Sequence, residues 1–383
     1  VSLRRGGRSE KENPMHITLS VHGHGHHPAA WRVSGLERTP TGVPRYEALL
    51  RRAEEGGLDA VLFLPPPVGP GVLLEGRSDG LQIDTLPLIA TLVPCSERIG
   101  LGGTVYMAHT QPFHTARALA VLDNLSAGRT ALVVDLEGVD QQEADFAHDG
   151  ALGRVAHYER CAEYLTVAGK LWDSWEDGAV VADKAAGLFA DSSRIHPIHH
   201  VGAHFTVRGP LTAVRPIQGH PVVVMRDASA EGLRLAAEKA DLFLADEAAL
   251  IPALRAIAAA QGRPAGALKI LLNISPLLAE TLEAAREREA ALDGMAAPGA
   301  GARFAGTPAD FAGRLAAWQD ETGCDGFNIL PAVLPDDAEA LVRAVLPLLR
   351  ERGLFRETYA GCTLREHLGL PRPASIFALQ GAA

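Results

Sequence analysis

The sequence predicts an α/β fold closed into a (β/α)8 TIM barrel, and three observations carry that prediction. Eight short apolar runs, at 17–21, 60–64, 100–105, 130–134, 222–225, 242–244, 268–274 and 326–330, read as strands. Longer helical patterns fall between them, at 46–55, 85–93, 112–125, 155–172, 231–240, 247–260, 308–322 and 336–352. Strand–helix alternation builds a parallel sheet, because each right-handed crossover returns the chain beside its predecessor. Eight such units in 383 residues fit one closed barrel. A doubly wound open sheet is the alternative, but no G-x-G-x-x-G opens the first helix.

Taken in order, strand one runs into a histidine cluster, His22, His24, His26 and His27. Strand two is followed by a Pro/Gly-rich stretch at 65–83, and the helix after strand four by a long irregular stretch at 173–220 with a hairpin expected around 202–207. Insertions that follow strands lie at the C-terminal mouth of a barrel, so both are expected walls of a pocket. The Gly/Ala-rich stretch 293–307 is expected to be mobile. Residues 1–14 read as a flexible tail, and 15–383 as a single barrel domain with no interdomain linker.

Composition excludes several classes. With 47% hydrophobic residues the chain can bury a large core, and a formal charge of -10 argues against nucleic acid or a polybasic membrane anchor. No apolar run approaches a membrane span, and the charged first fourteen residues lack the apolar region of a secretory signal. Cys95, Cys161, Cys324 and Cys362 form no C-x-x-C pair and read as reduced thiols of a cytoplasmic protein.

The stretch 221–240 carries the most chemistry. Its apolar run reads as a strand buried on both faces, which turns through Asp227, Ala228 and Ser229 into a helix. Ser229 is placed to cap that helix, either for the helix alone or as part of a phosphate cradle of backbone donors, hydroxyl and helix dipole.

Several motifs now line up. They are Glu97-Arg98-Ile99-Gly100-Leu101-Gly102, Pro112-Phe113-His114-x-Ala116-Arg117 and Leu122-Asp123-x-Leu125-Ser126-x-Gly128-Arg129. Further along come Leu171-Trp172-Asp173-Ser174-Trp175-Glu176-Asp177, His196-Pro197-Ile198-x-His200, Asp325-Gly326-Phe327-Asn328 and Thr363-Leu364-Arg365-Glu366-His367-Leu368-Gly369-Leu370. From about residue 15 to 374 this order resembles the bacterial luciferase-like flavin-dependent monooxygenases, in the nitrilotriacetate and dibenzothiophene-sulfone monooxygenase branch. The resemblance implies a barrel that takes reduced FMN from a separate flavin reductase. With O2 the flavin would form a hydroperoxide that oxygenates a small organic substrate. It also implies a homo-oligomer, such as a dimer, or a heterodimer with a homologue.

On this resemblance, Tyr158, Asp227, Ala228 and Ser229 stand at the flavin phosphate, with Arg154 as a further contact. Met107 and Val133 would line the flavin ring by packing, and His26 would face the substrate as hydrogen bonder or acid/base. The chain also departs from the family. Leu64-Pro65 replaces Ala-Asp, Tyr106-Met107 replaces small hydroxyl residues, and Leu132-Val133-Val134-Asp135-Leu136-Glu137 replaces Trp-Asn-Val-Val-Thr-Ser, which removes an Asn. Met225-Arg226-Asp227 replaces Gln-Ala-Gly, and Arg154 replaces a His. An unpaired buried polar group costs roughly 1–3 kcal/mol, so the flavin either sits in a remodelled pocket or is weakly held. In the second case the chain is a non-catalytic subunit that pairs with an active homologue.

Other groups have plainer expectations. His196, His199, His200 and His204 are expected to pack structurally, and no metal site is expected. Arg117, Asp123 and Arg129 are expected in surface salt bridges. Asn328 is placed toward the mouth, either for substrate or to cap a turn, and Cys324 in the core.

Overall fold

A computed structural model describes residues 15–36, 42–65, 83–107, 110–136, 153–299 and 301–377. The expected tail 1–14 and nearly all of the stretch 65–83 lie outside the described residues. Eight parallel strands close into a barrel, numbered here as they follow in the chain: β1 His16–Val21, β2 Ala60–Phe63, β3 Gly100–Val105 and β4 Thr130–Asp135. They continue as β5 Val222–Arg226, β6 Leu242–Ala245, β7 Lys269–Leu278 and β8 Gly326–Ile329. Each strand pairs with the next, β6 with β7 and β7 with β8, and β8 returns to β1 with His16 opposite Gly326. Closure leaves the ring without an edge.

Alternation along each strand sorts the side chains. Ala60, Leu62, Ala131, Val133, Val222, Val224, Leu242, Leu244 and Leu271 form one buried cluster inside the ring, which Leu364, Leu368 and Leu370 join. Their alternates, Ile17, Leu19, Leu132, Val134, Val223 and Met225, belong to the larger cluster shared with the helices. Leu364 reaches the start of β3, since a Cβ on Gly100 would lie 2.7 Å from its Cδ1. The C-terminal segment therefore plugs the end of the barrel opposite the mouth. Helix Leu364–His367 begins with a capping box between Thr363 and Glu366 that fixes this plug.

Three expectations change. The stretch 293–307 is not simply irregular. Ala302–Gly306 is a strand that pairs with the outer half of β7, Ile274 opposite Ala302, because β7 runs on beyond the ring and presents unpaired backbone groups. Arg129 and Asp123 are buried rather than on the surface. Arg129 donates to the carbonyls of Ser126, Ile99 and Ser96 at 2.7–2.9 Å, ordering the turns that lead into β3 and β4. Asp123 accepts from the Gln218 side chain at 2.6 Å. Their satisfied, water-free surroundings make them internal fasteners.

The stretch 173–220 holds two hairpins. His200–Val201 pairs with Thr206–Val207, where a hairpin is expected, and Val180–Asp183 pairs with Leu188–Ala190. His196 meets Glu176 at 2.6 Å and His200 meets Glu163 at 2.9 Å, so both histidines serve packing and pairing there. Cys161 and Cys324 are buried, and all four thiols are free. No helix among the described residues is long and apolar enough to cross a membrane.

Candidate functional site

The C-terminal ends of β4 and β5 carry charge on the inward-facing positions. Asp135 lies directly opposite Arg226 in the β4–β5 register, and their side chains meet at 3.0 Å. One turn of alternation below them are Val133 and Val224 inside the ring, so the pair stands where the apolar interior ends and the mouth begins. Burial raises the Tyr106 phenol, and the charge of Asp135 raises it further while Arg226 opposes, which places Tyr106 in the same electrostatic neighbourhood. The sequence marks Tyr106, Asp135 and Arg226 as departures from the family pattern, with Arg226 a candidate phosphate contact, but does not show that Asp135 and Arg226 pair. The available signal is a charged residue ending each of two neighbouring apolar strands at the same level.

His26 stands on the β1 side of the same mouth. Its Nε2 lies 3.1 Å from the Ser20 carbonyl, and since a carbonyl only accepts, Nε2 carries the proton and Nδ1 the lone pair. Burial holds its pKa down at about 4, with the Arg226 charge adding to the effect and the Ser20 bond opposing it. At neutral pH the ring is uncharged, which suits a hydrogen-bonding role and not that of a protonated acid.

The loop carrying His26 is fixed by backbone bonds to the segment after β8. His26 N–H donates to Pro331 at 2.8 Å, His27 N–H to Ala332 at 3.1 Å, and Leu334 N–H to the His24 carbonyl at 2.7 Å. Gly25 permits this approach. Its φ is +134°, and a Cβ there would sit 2.3 Å from the Ala332 oxygen.

The 227–229 turn forms a third group. Ser229 is the N-cap of helix Ala230–Lys239 and accepts from Gly232 N–H at 3.0 Å. Tyr158, from helix Arg154–Asp173, lies 3.0 Å from Ser229 Oγ and donates to Asp227 Oδ2. Burial and the bond to Asp227 push the Tyr158 phenol up to about 12, so it keeps its proton. Arg154 lies exposed over the Tyr158 ring, 5.8 Å from its centroid, and Ala228 is exposed between its two polar neighbours. The structure therefore brings Tyr158, Arg154, Asp227, Ala228 and Ser229 into one cluster.

The remaining sequence candidates separate. Val133 is fully buried inside the ring. Met107 is also buried, but its side chain packs in the helix-side core, and its inward-facing neighbour is Tyr106. Asn328 does neither of the things expected of it. Buried in the ring, its Oδ1 accepts from Thr18 at 2.8 Å and Ser20 at 3.0 Å, and its Nδ2 donates to Asn273 at 2.8 Å. Asn273 in turn donates to Asp246 at 2.8 Å, so a row of polar groups crosses the barrel and surfaces beyond β6. A cavity of about 620 Å³ lies at the other end of the barrel, between Asp173, His220, Asp241 and Arg365. It is remote from the strand C-termini and is not the site.

For a flavin mononucleotide, the donors at the 227–229 turn are of the right kind: two hydroxyls, backbone N–H groups and a helix N-terminus. The Asp227 carboxylate among them does not suit a phosphate, because Oδ1 already accepts Ser229 N–H at 2.8 Å. No group of three or more His, Cys, Asp or Glu among the described residues is arranged to hold a metal ion.

The fold is a TIM barrel, with polar and charged side chains gathered at the C-terminal mouth. The sequence model of the luciferase-like monooxygenases matches residues 22–325, and the chain belongs to that family. It is 31% identical to component A of nitrilotriacetate monooxygenase from Aminobacter aminovorans, over 92% of this chain and 96% of that one. It is 34% identical to one of the subunits of pristinamycin IIA synthase from Streptomyces pristinaespiralis, over 87% and 91% respectively. The solved EDTA monooxygenase of Chelativorans sp. BNC1 superimposes with a TM-score of 0.83 at 26% identity, over 94% of this chain and 99% of that one.

Proposed function

We propose that this chain is the oxygenase component of a two-component, FMN-dependent monooxygenase acting on a small organic molecule. A separate reductase would supply the reduced flavin, and bound flavin would supply the reactivity toward O2. The observation that carries the reading is the convergence, at one end of a closed barrel, of neutral His26, the Asp135–Arg226 pair and the Tyr158–Ser229 cluster. Tyr158, Ala228, Ser229 and Arg154 border the flavin tail, Val133 floors the mouth, and Tyr106 takes the ring-side place that Met107 leaves. His26 offers its Nδ1 lone pair to substrate or flavin, while the apolar barrel interior beneath excludes water. The setting is cytoplasmic, and the working form is a homodimer or a pair with a homologue.

One observation favours a second reading. The chain is similar to two different subunits of pristinamycin IIA synthase, at 34% and 27% identity, so two related chains serve that one synthase. Together with the altered strand ends, this supports a chain that completes an active homologue without catalysing. Titrating FMN and reduced FMN into the pure protein, followed by turnover with a reductase, separates the two. Micromolar binding with substrate oxidation supports the first. Absence of binding, with a homologue co-purifying, supports the second.

A further inference from the structure

Asp227 stands where a bound phosphate would be expected, at the start of helix Ala230–Lys239. Its carboxylate is held from three sides. Oδ1 accepts Ser229 N–H at 2.8 Å, Oδ2 accepts the Tyr158 hydroxyl, and the group rests against the first turn of the helix at Gly232. The Gly232 contact is close enough that a Cβ there would lie 2.4 Å from Asp227 Cγ, so the missing side chain is the seat of the carboxylate. Asp227 is buried, and the Tyr158 phenol stays protonated to serve it. An anion thus already occupies the positive end of the helix dipole, supplied by the chain itself.

The charges around it point the same way. Glu231 adds a second carboxylate in the first helical turn. Arg154 answers both from outside: its charged form is favoured first by Tyr158, then by Asp227 and Glu231, but it is exposed and screened by solvent. Arg226, the cation next in sequence, is held 3.0 Å from Asp135 on the other side of the turn. A phosphate arriving here would meet two carboxylates, one fully exposed arginine, and the Ser229 and Gly232 N–H groups already bonded to Asp227 and Ser229.

We propose that the Asp227 carboxylate is a built-in substitute for the ligand phosphate, and that it makes the site select flavins with an uncharged tail over phosphorylated ones. The inference rests on the flavin reading of the mouth and replaces FMN there by a flavin without the phosphate. A riboflavin tail presents hydroxyls, which Asp227 accepts as readily as it accepts Tyr158. A phosphate carries close to two negative charges, which a fixed neighbouring carboxylate opposes.

The test is a titration of riboflavin and FMN into the full-length protein, followed by fluorescence quenching, in wild type, Asp227→Asn and Asp227→Gly. The wild type should bind riboflavin more tightly than FMN, and either substitution should tighten FMN by about tenfold or more while riboflavin stays unchanged or weakens. Two variants are used because Asn keeps the side-chain volume and the acceptor for Ser229 N–H, whereas Gly empties the seat. Wild-type protein that binds FMN as tightly as riboflavin, or more tightly, overturns the inference, as does an FMN-to-riboflavin ratio unchanged in the variants. Failure of both flavins to bind any form overturns the flavin reading itself and the inference with it.

Discussion

Lowering the pH from 7.5 to 5 should weaken the fold through His26, and the amount follows from its surroundings. An unfolded imidazole titrates near its ordinary 6.5, whereas in the folded chain burial and Arg226 hold His26 at about 4. Between those two values the unfolded chain binds the proton and the folded one does not. Stability is therefore complete above about pH 6.5, declines as the pH falls, and stops declining below about pH 4. Linkage over that window gives a loss of about 2 kcal/mol at pH 5 and about 3 kcal/mol at pH 4. Urea denaturation at pH 7.5 and pH 5, for wild type and His26→Gln, isolates the contribution, since glutamine keeps a donor for the Ser20 carbonyl and cannot titrate. The difference between the two proteins should narrow by about 2 kcal/mol at pH 5, in favour of the variant. An unchanged difference would refute the claim that His26 stands as a neutral ring beside Arg226.

Four other outcomes follow from the same geometry. Ser229→Ala removes the side-chain acceptor for Gly232 N–H and should cost about 1 kcal/mol in thermal or chemical denaturation. Asp135→Leu removes the carboxylate that Arg226 meets at the mouth and should cost about 2–3 kcal/mol, most of which Asp135→Leu/Arg226→Leu recovers; a double-mutant cycle in urea measures the coupling. Asn328→Leu leaves Thr18, Ser20 and Asn273 without their partner and should cost about 3 kcal/mol, read as a lowered urea midpoint. Gly25→Ala forces a Cβ against the Ala332 carbonyl at positive φ. It should lower stability by more than about 2 kcal/mol and speed hydrogen exchange at His26, His27 and Leu334.

Much of this architecture is legible in the residues. The run before Met225 marks a two-face-buried strand, and Ser229 a cap, because both signals are local: apolar continuity and a hydroxyl before a helical repeat. The barrel follows from repeating that unit. What stays hidden depends on closure. Arg129 reads as a surface cation until the fold wraps the carbonyls of Ser96 and Ile99 around it. Asn328 reads as a mouth residue because its partners, Thr18 and Asn273, come from positions remote in sequence. The strand Ala302–Gly306 is masked by its Gly/Ala-rich approach and exists because β7 offers it an open flank. At the site, the Asp227 position is plain in sequence. The seat that Gly232 provides for its carboxylate appears only once turn and helix are assembled.

The row Thr18/Ser20–Asn328–Asn273–Asp246 has a sense of direction. Each group hands its hydrogen to the next, from hydroxyl to amide to amide to carboxylate. Turning the Asn273 amide around would set oxygen against oxygen at Asp246 and nitrogen against nitrogen at Asn328, and turning Asn328 alone would set oxygen against oxygen at Asn273. The whole array is thus poled like a small magnet through the floor of the barrel, ending on an acceptor oxygen of Asp246. The donor end of the array therefore points at the rim beyond β6, where the Asp246 carboxyl receives it.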